Sequence, residues 1–213
     1  MSGAFVEPTP PAVSKLSAAR TRADVVGCVA SIIGALALTI FLFLPKVPPT
    51  GPRLYIIFFI DPVARIIGYW VLYNRLHEAA PKWAELGFYP LVLGSLFLVA
   101  QDALKASANL NLSTLTYSPD GWLDFLLKSL VAVTLPFGLA TYAWLITTRP
   151  QLRRWLGFLM VPQVILLLIT FGSFGLVRIG EFPASRVLTV YTTILLLAKA
   201  VWFLSPVARP KTL

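Results

Sequence analysis

Six long apolar runs alternate with short polar connections along this chain of 213 residues. The runs cover approximately 25–44, 54–74, 86–104, 125–147, 156–177 and 187–206. Each is close to the roughly 20 residues that an α-helix needs to cross the hydrocarbon core of a bilayer. The pattern therefore predicts an all-α, polytopic integral membrane protein, with about six transmembrane helices packed as a bundle.

The composition supports this class and excludes a soluble fold. Hydrophobic residues make up 57% of the chain and charged residues only 13%, whereas soluble domains carry about a quarter of charged residues. A net charge of +9 would favour nucleic-acid binding in a soluble protein. Here the basic residues lie mainly at helix ends and in short loops, where they contact lipid headgroups. We expect membrane lipids as partners and no nucleic acid.

Three regions follow from the same pattern. Residues 1–23 are predicted to form a disordered, basic and Pro-rich tail, residues 24–206 the six-helix transmembrane domain, and residues 207–213 a short basic tail. More of the Lys and Arg residues fall on the side that holds both termini. The positive-inside rule then places both termini on the cytoplasmic side, or on the stromal or matrix side of an organelle membrane. The sequence does not indicate which membrane.

The tryptophans give an independent check on the ends of the runs. All six lie within about one helical turn of a run end, as interfacial aromatic anchors do: Trp70, Trp83, Trp122, Trp144, Trp155 and Trp202. We therefore expect each of these indole rings to lie at a membrane surface.

The second run contains two charges near its middle, Asp61 and Arg65, with Pro62 beside the acid. Asp61 and Arg65 are four residues apart, so they share a helix face and can form an ion pair. Pro62 removes a backbone hydrogen bond, which predicts a kink in the second helix at this residue, or a helix that begins there with Asp61 as its N-cap. The pair is either a structural element of helix packing or a site for a proton, ligand or substrate.

Lys199 is a further charge inside an apolar run, and its own helix contains no acid to pair with it. A lysine at this depth most often extends its amine to the nearest headgroups. It could instead pair with Asp61 or be an uncharged amine. Asp61 and Arg65 are the candidate catalytic residues, and Asp61, Arg65 and Lys199 are the candidate binding residues.

The sequence offers little other chemistry. It contains one cysteine, Cys28, and one histidine, His77, so a bis-His haem and a His-rich metal site are excluded. No glycine-rich phosphate loop or nucleophile elbow is present, and we expect neither a cofactor nor a metal.

Two functions remain open. The first is a non-catalytic accessory or assembly subunit of a larger membrane complex, or a binder of apolar ligands such as a lipid, pigment or isoprenoid. The second is a membrane-embedded enzyme or carrier for a hydrophobic small molecule, resembling an isomerase or cyclase in its chemistry, with Asp61 as acid or proton carrier. A cavity beside Asp61 would favour the second, and a dry, tightly packed Asp61–Arg65 pair would favour the first.

Overall fold

A computed structural model describes residues 13–43, 56–109, 121–149, 152–172, 178–179 and 182–204. These residues form six α-helices, one π-helical turn and one short β-pairing. The helices are α1 (Val13–Phe43), α2 (Asp61–His77), α3 (Pro81–Asn109), α4 (Trp122–Thr148), α5 (Trp155–Gly172) and α6 (Ala184–Leu204). The π-helical turn (Ile56–Ile60) precedes α2, and β1 (Arg178–Ile179) pairs antiparallel with β2 (Phe182–Pro183) before α6.

The helices coincide with the six predicted runs to within a few residues at most ends. Four of them contain a segment long and apolar enough to cross a bilayer: Arg22–Phe43, Pro81–Leu104, Trp122–Thr148 and Ala184–Leu204. The apolar part of α5, Trp155–Phe171, is shorter, and α2 has 17 residues interrupted by charges. The predicted class, an all-α membrane bundle, is confirmed.

The largest difference from the predicted boundaries is at the start of α1. The sequence assigns residues 1–23 to a disordered tail, but the helix begins at Val13. Leu, Ala, Lys and Arg dominate residues 15–23, and these are good helix formers, so the helix extends beyond the apolar run. Residues 1–12 and the predicted tail at 207–213 lie outside the described residues.

The six helices are arranged as a closed ring. Each packs against the helix that follows it in sequence, and α6 returns to pack against α1. We call the end of the bundle that holds the start of α1 and the end of α6 the terminal end, and the other the opposite end. A ring of this kind has an interior, and side chains from several helices meet there.

Apolar side chains cover the outside of the ring, and the polar groups that are buried lie within the bundle. Among the exposed large residues are Leu36, Val133, Phe158, Ile165 and Val201. Buried polar side chains come from all six helices and include Asp61, Gln163 and Lys199. This distribution, apolar outside and polar inside, is the one that a bilayer requires.

Pro62 lies where the π-helical turn changes into the α-helix α2, at the first turn of that helix. A proline ring has no N–H to donate and collides with the carbonyl of the preceding turn in a regular α-helix. The wider π-helical turn leaves room for this ring. The predicted irregularity at Pro62 therefore takes the form of a change of helix type.

Helices α3 and α4 approach closely at glycines. A Cβ on Gly138 would lie 2.6 Å from the Leu91 Cγ and 2.7 Å from the backbone oxygen of Gly87. The hydroxyl of Tyr142 donates to the carbonyl of Ala84, 3.3 Å away, across the same interface. Contacts this short need a residue without a side chain, as at other membrane helix crossings.

We predict that Gly138→Ala destabilises the bundle by about 1–3 kcal/mol, the usual cost of overpacking, because the backbone of α3 must move away. Gly68→Ala is the matched control, since the nearest atom to its Cβ would be the Ser31 Oγ at 3.8 Å. It should be neutral or slightly stabilising, because alanine favours helix. Thermal unfolding in mild detergent measures both, and equal stability of the two variants would contradict the close approach.

Candidate functional site

Asp61 and Arg65 form the predicted ion pair. The Arg65 Nε donates to the Asp61 Oδ1 at 2.8 Å. The two side chains are only 14% and 10% exposed for Arg65 and Asp61, respectively. The pair is therefore largely removed from solvent, and each charge depends on the other for compensation.

Asp61 does not serve as an N-cap, so that part of the sequence interpretation was wrong. The N-cap residue of α2 is Ile60, which has helical backbone angles (φ −70°, ψ −54°) and makes no side-chain cap bond. Because the π-helical turn runs directly into α2, the backbone has no non-helical residue at which a cap could form. The Asp61 carboxylate is thus available to Arg65.

A cavity of about 410 Å³ lies beside this pair, enclosed by α2, α3, α4, α5 and α6. Its polar lining residues are Arg65, Gln101, Asp102, Lys128, Thr170, Ser185, Thr189 and Thr192, and its apolar ones are Leu98, Leu135, Leu167, Phe171 and Leu188. Several come from the first turns of α4 and α6 and the last turns of α5, so the cavity occupies the opposite end of the bundle. Arg65 lines this cavity, whereas Asp61 does not.

The polar side of the cavity is held in place by a hydrogen-bonded group. The Gln101 Nε2 donates to the Asp124 Oδ1 at 2.9 Å, and the Lys128 Nζ contacts the Asp124 Oδ2 at 2.5 Å. Thr170 differs from these residues: its hydroxyl oxygen is buried and has no hydrogen-bond partner among the described residues.

Lys199 points into the bundle, and not towards the headgroups as the sequence led us to expect. It is 3% exposed, and its Nζ lies 4.6 Å from the centroid of the Tyr69 ring. The aromatic face attracts the ammonium group. No salt bridge joins Lys199 to a carboxylate among the described residues.

A second, much smaller void of about 10 Å³ separates Lys199 from the cavity. It is lined by Arg65, Tyr69, Gln163, Thr192 and Lys199, with five leucines around them. The Gln163 Nε2 donates to the Thr192 Oγ1 at 2.7 Å, but the Gln163 Oε1 is buried and has no partner in the part of the chain that the structure describes. A void of this size between polar groups can hold one water molecule. Arg65 and Thr192 line both spaces, so Lys199 lies just beyond the floor of the cavity.

The terminal end of the bundle is closed around Arg75. Its Nε donates to the Asp24 Oδ1 at 2.6 Å, its Nη1 donates to the Trp202 carbonyl at 3.1 Å, and its Nη2 donates to the Phe203 carbonyl. The guanidinium carbon is also 4.6 Å from the centroid of the Trp202 ring. One side chain of α2 thereby joins Asp24 of α1 to the last carbonyls of α6. The carbonyl end of a helix is a favourable place for a cation.

The sequence did not reveal this cluster. Arg75 was counted only as a basic residue near a membrane surface, and Trp202 was predicted to be an interfacial anchor. Trp202 is instead 1% exposed, and its Nε1 donates to the Arg153 carbonyl at 3.1 Å. Its ring packs against a buried cation of another helix, a contact across 127 positions that periodicity cannot indicate. The other five tryptophans are exposed or half-buried.

The remaining spaces and clusters offer less chemistry. A groove of about 550 Å³ between α1 and α2 is lined only by apolar residues, including Val29 and Val63. Within the described ranges no group of three or more His, Cys, Asp or Glu side chains is arranged to hold a metal ion.

Comparison with protein families, with curated proteins and with solved structures gave no match.

We predict that Arg65→Met costs about 3–5 kcal/mol of stability, because it leaves the Asp61 carboxylate buried and unpaired. The double variant Asp61→Asn with Arg65→Met should recover a large part of this loss. Glu85→Gln is the control, since Glu85 and His77 form a half-exposed pair with atoms 3.7 Å apart, and such pairs contribute under about 1 kcal/mol. If the double variant were no more stable than Arg65→Met, the two charges would not be coupled.

We also predict that Arg75→Lys destabilises the bundle clearly, although it keeps the charge. An ammonium group cannot reach three acceptors and stack on a ring as the planar guanidinium does. Arg153→Lys is the matched control, because the Arg153 side chain is exposed and only its backbone carbonyl is used. Denaturation in detergent should separate these variants. An Arg75→Lys protein as stable as the control would show that the cluster contributes little.

Proposed function

We propose that this chain is a membrane-embedded binding protein for a small molecule with an apolar body and a polar end. The occupant would lie in the 410 Å³ cavity at the opposite end of the bundle. The observation that carries this proposal is the cavity itself, in which Arg65, Gln101 and Lys128 share the lining with leucine and phenylalanine side chains. Walls that combine apolar surface with several converging polar groups are typical of small-molecule sites.

The mixture of apolar and polar side chains that line the cavity favours an amphipathic occupant over a purely apolar one. Leucine and phenylalanine side chains would contact its body, and Arg65 at the floor would contact its polar end. Large side chains pack the terminal half of the bundle. There Leu72, Tyr142, Leu156 and Met160 are completely buried. Access from one end only would suit either a binding protein or a carrier observed in one of its states.

An enzyme that uses Asp61 as an acid is less well supported. Asp61 is held by Arg65, and Arg65 lies between this carboxylate and the cavity. A catalytic acid must reach the atom that it protonates. Assembly with other membrane-protein subunits remains a prediction from the exposed apolar surface, which contact with lipid explains equally well.

The test is to purify the protein in mild detergent and identify bound small molecules by mass spectrometry. We expect the wild type to retain one amphipathic compound, and Thr189→Trp to lose it because Thr189 lines the cavity. Val190→Trp, at the exposed neighbouring position, is the matched control and should retain the compound. A wild type that carries nothing beyond bulk lipid, or equal retention by both variants, would contradict the proposal.

A further inference from the structure

The charged side chains around the cavity balance one another among the described residues. Three are acidic and three are basic: Asp61, Asp102 and Asp124, and Arg65, Lys128 and Lys199. Asp61 bonds to Arg65, and the almost fully buried Asp124 bonds to Lys128. Asp102 lines the cavity together with Arg65, and its charge stabilises the guanidinium. A charged occupant would add an uncompensated charge to a region that water screens weakly.

One face of α6 supplies three of the four hydroxyl side chains that line the cavity. Ser185, Thr189 and Thr192 follow one another at spacings of four and three residues, so they share a face of the helix. We call these three residues the hydroxyl face. Ser185 is exposed and Thr192 is buried, so the hydroxyl face runs from the mouth of the cavity to its floor.

The threonine oxygens of the hydroxyl face can only accept hydrogen bonds from an occupant. The Thr189 Oγ1 donates its proton to the Ser185 carbonyl at 2.9 Å. The Thr192 Oγ1 donates its proton to the Leu188 carbonyl at 2.8 Å. A hydroxyl has one proton and two lone pairs, so each oxygen has only acceptor capacity left, and Thr192 already uses part of it for the Gln163 amide.

Arg65 brings the opposite kind of group to the same floor. Its guanidinium has only N–H donors, which also serve Asp61 and Tyr69, and it lines the cavity beside Thr192. A ligand hydroxyl can donate to a threonine oxygen and accept from an N–H at the same time. A carboxylate cannot donate, and an ammonium group cannot accept.

From the charge balance and the hydroxyl face we infer that the ligand is an uncharged amphipathic alcohol. Its hydroxyl group donates to an oxygen of the hydroxyl face and accepts from Arg65, and its apolar body contacts Leu98, Leu167 and Leu188. This inference rests on the proposed function, since it names the class of molecule that the cavity takes.

Four probes of similar length test the polar end: octanol, octanoate, octylammonium and 1-methoxyheptane, an isomer of octanol that lacks the O–H. Protein stripped of lipid by detergent exchange is placed in nanodiscs and titrated by calorimetry. The same titration of Thr189→Trp, whose cavity is filled, is subtracted to remove partition into lipid. We expect octanol to bind at least tenfold more tightly than either charged probe and at least threefold more tightly than 1-methoxyheptane.

Thr189→Val tests the hydroxyl face, because it removes the oxygen and keeps the shape of the side chain. It should weaken octanol at least threefold and leave 1-methoxyheptane unchanged. Thr193→Val is the matched control: Thr193 also donates to a carbonyl of its own helix, at 3.0 Å, but does not line the cavity. Equal octanol binding by the two variants would overturn the role of the hydroxyl face.

Asp102→Asn tests the charge balance, since it removes one of the three acids. It should strengthen octanoate at least fivefold and leave octanol unchanged, whereas Glu85→Gln, outside the cavity, should alter neither. Unchanged octanoate binding would contradict the balance as the cause of selectivity.

If a variant does not fold, the order of the four probes on the wild type decides the question. A charged probe or 1-methoxyheptane bound as tightly as octanol would overturn the alcohol inference and leave the binding proposal standing. No difference between the wild type and Thr189→Trp with any probe would overturn both.

Discussion

The buried ion pair between Asp61 and Arg65 is the constraint on which the rest of the structure depends. Two opposite charges within an apolar membrane segment cannot face lipid, so the start of α2 must turn this face towards other helices. Closing six helices into a ring gives these groups an interior. The π-helical turn before Pro62 leaves the Asp61 side chain free to bond to Arg65, because its backbone needs no cap. The cavity lies beside this pair and is lined by Arg65.

The two ends of the ring are built differently. At the terminal end, Arg75 has all three of its nitrogens engaged, and large apolar side chains fill the space around it. At the opposite end, Arg65 lines the cavity together with polar side chains from four other helices. Both arginines are on α2, ten positions apart. The same kind of side chain therefore closes one end of the ring and lines an open space at the other.

Much of this fold follows from the sequence, because the position of an apolar run and the spacing of two charges are local properties. The runs located all six helices, and the four-residue spacing located the Asp61–Arg65 pair. What could not be predicted depends on distant parts of the chain. Lys199 is turned inward because Tyr69, on another helix, accepts its ammonium group. Trp202 is buried because Arg75 lies against it. The cavity itself is assembled from five helices and has no signature in any one of them.

The central claim is that the opposite end of the ring contains an open polar cavity and the terminal end does not. Cysteines introduced one at a time at Thr192 and Ala200, both buried on α6, test it in a Cys28→Ala background. Thr192 lies at the cavity floor and Ala200 lies towards the closed end. A small water-soluble thiol reagent should label the cysteine at 192 and not the one at 200. Labelling of neither cysteine, or of both at the same rate, would contradict this account.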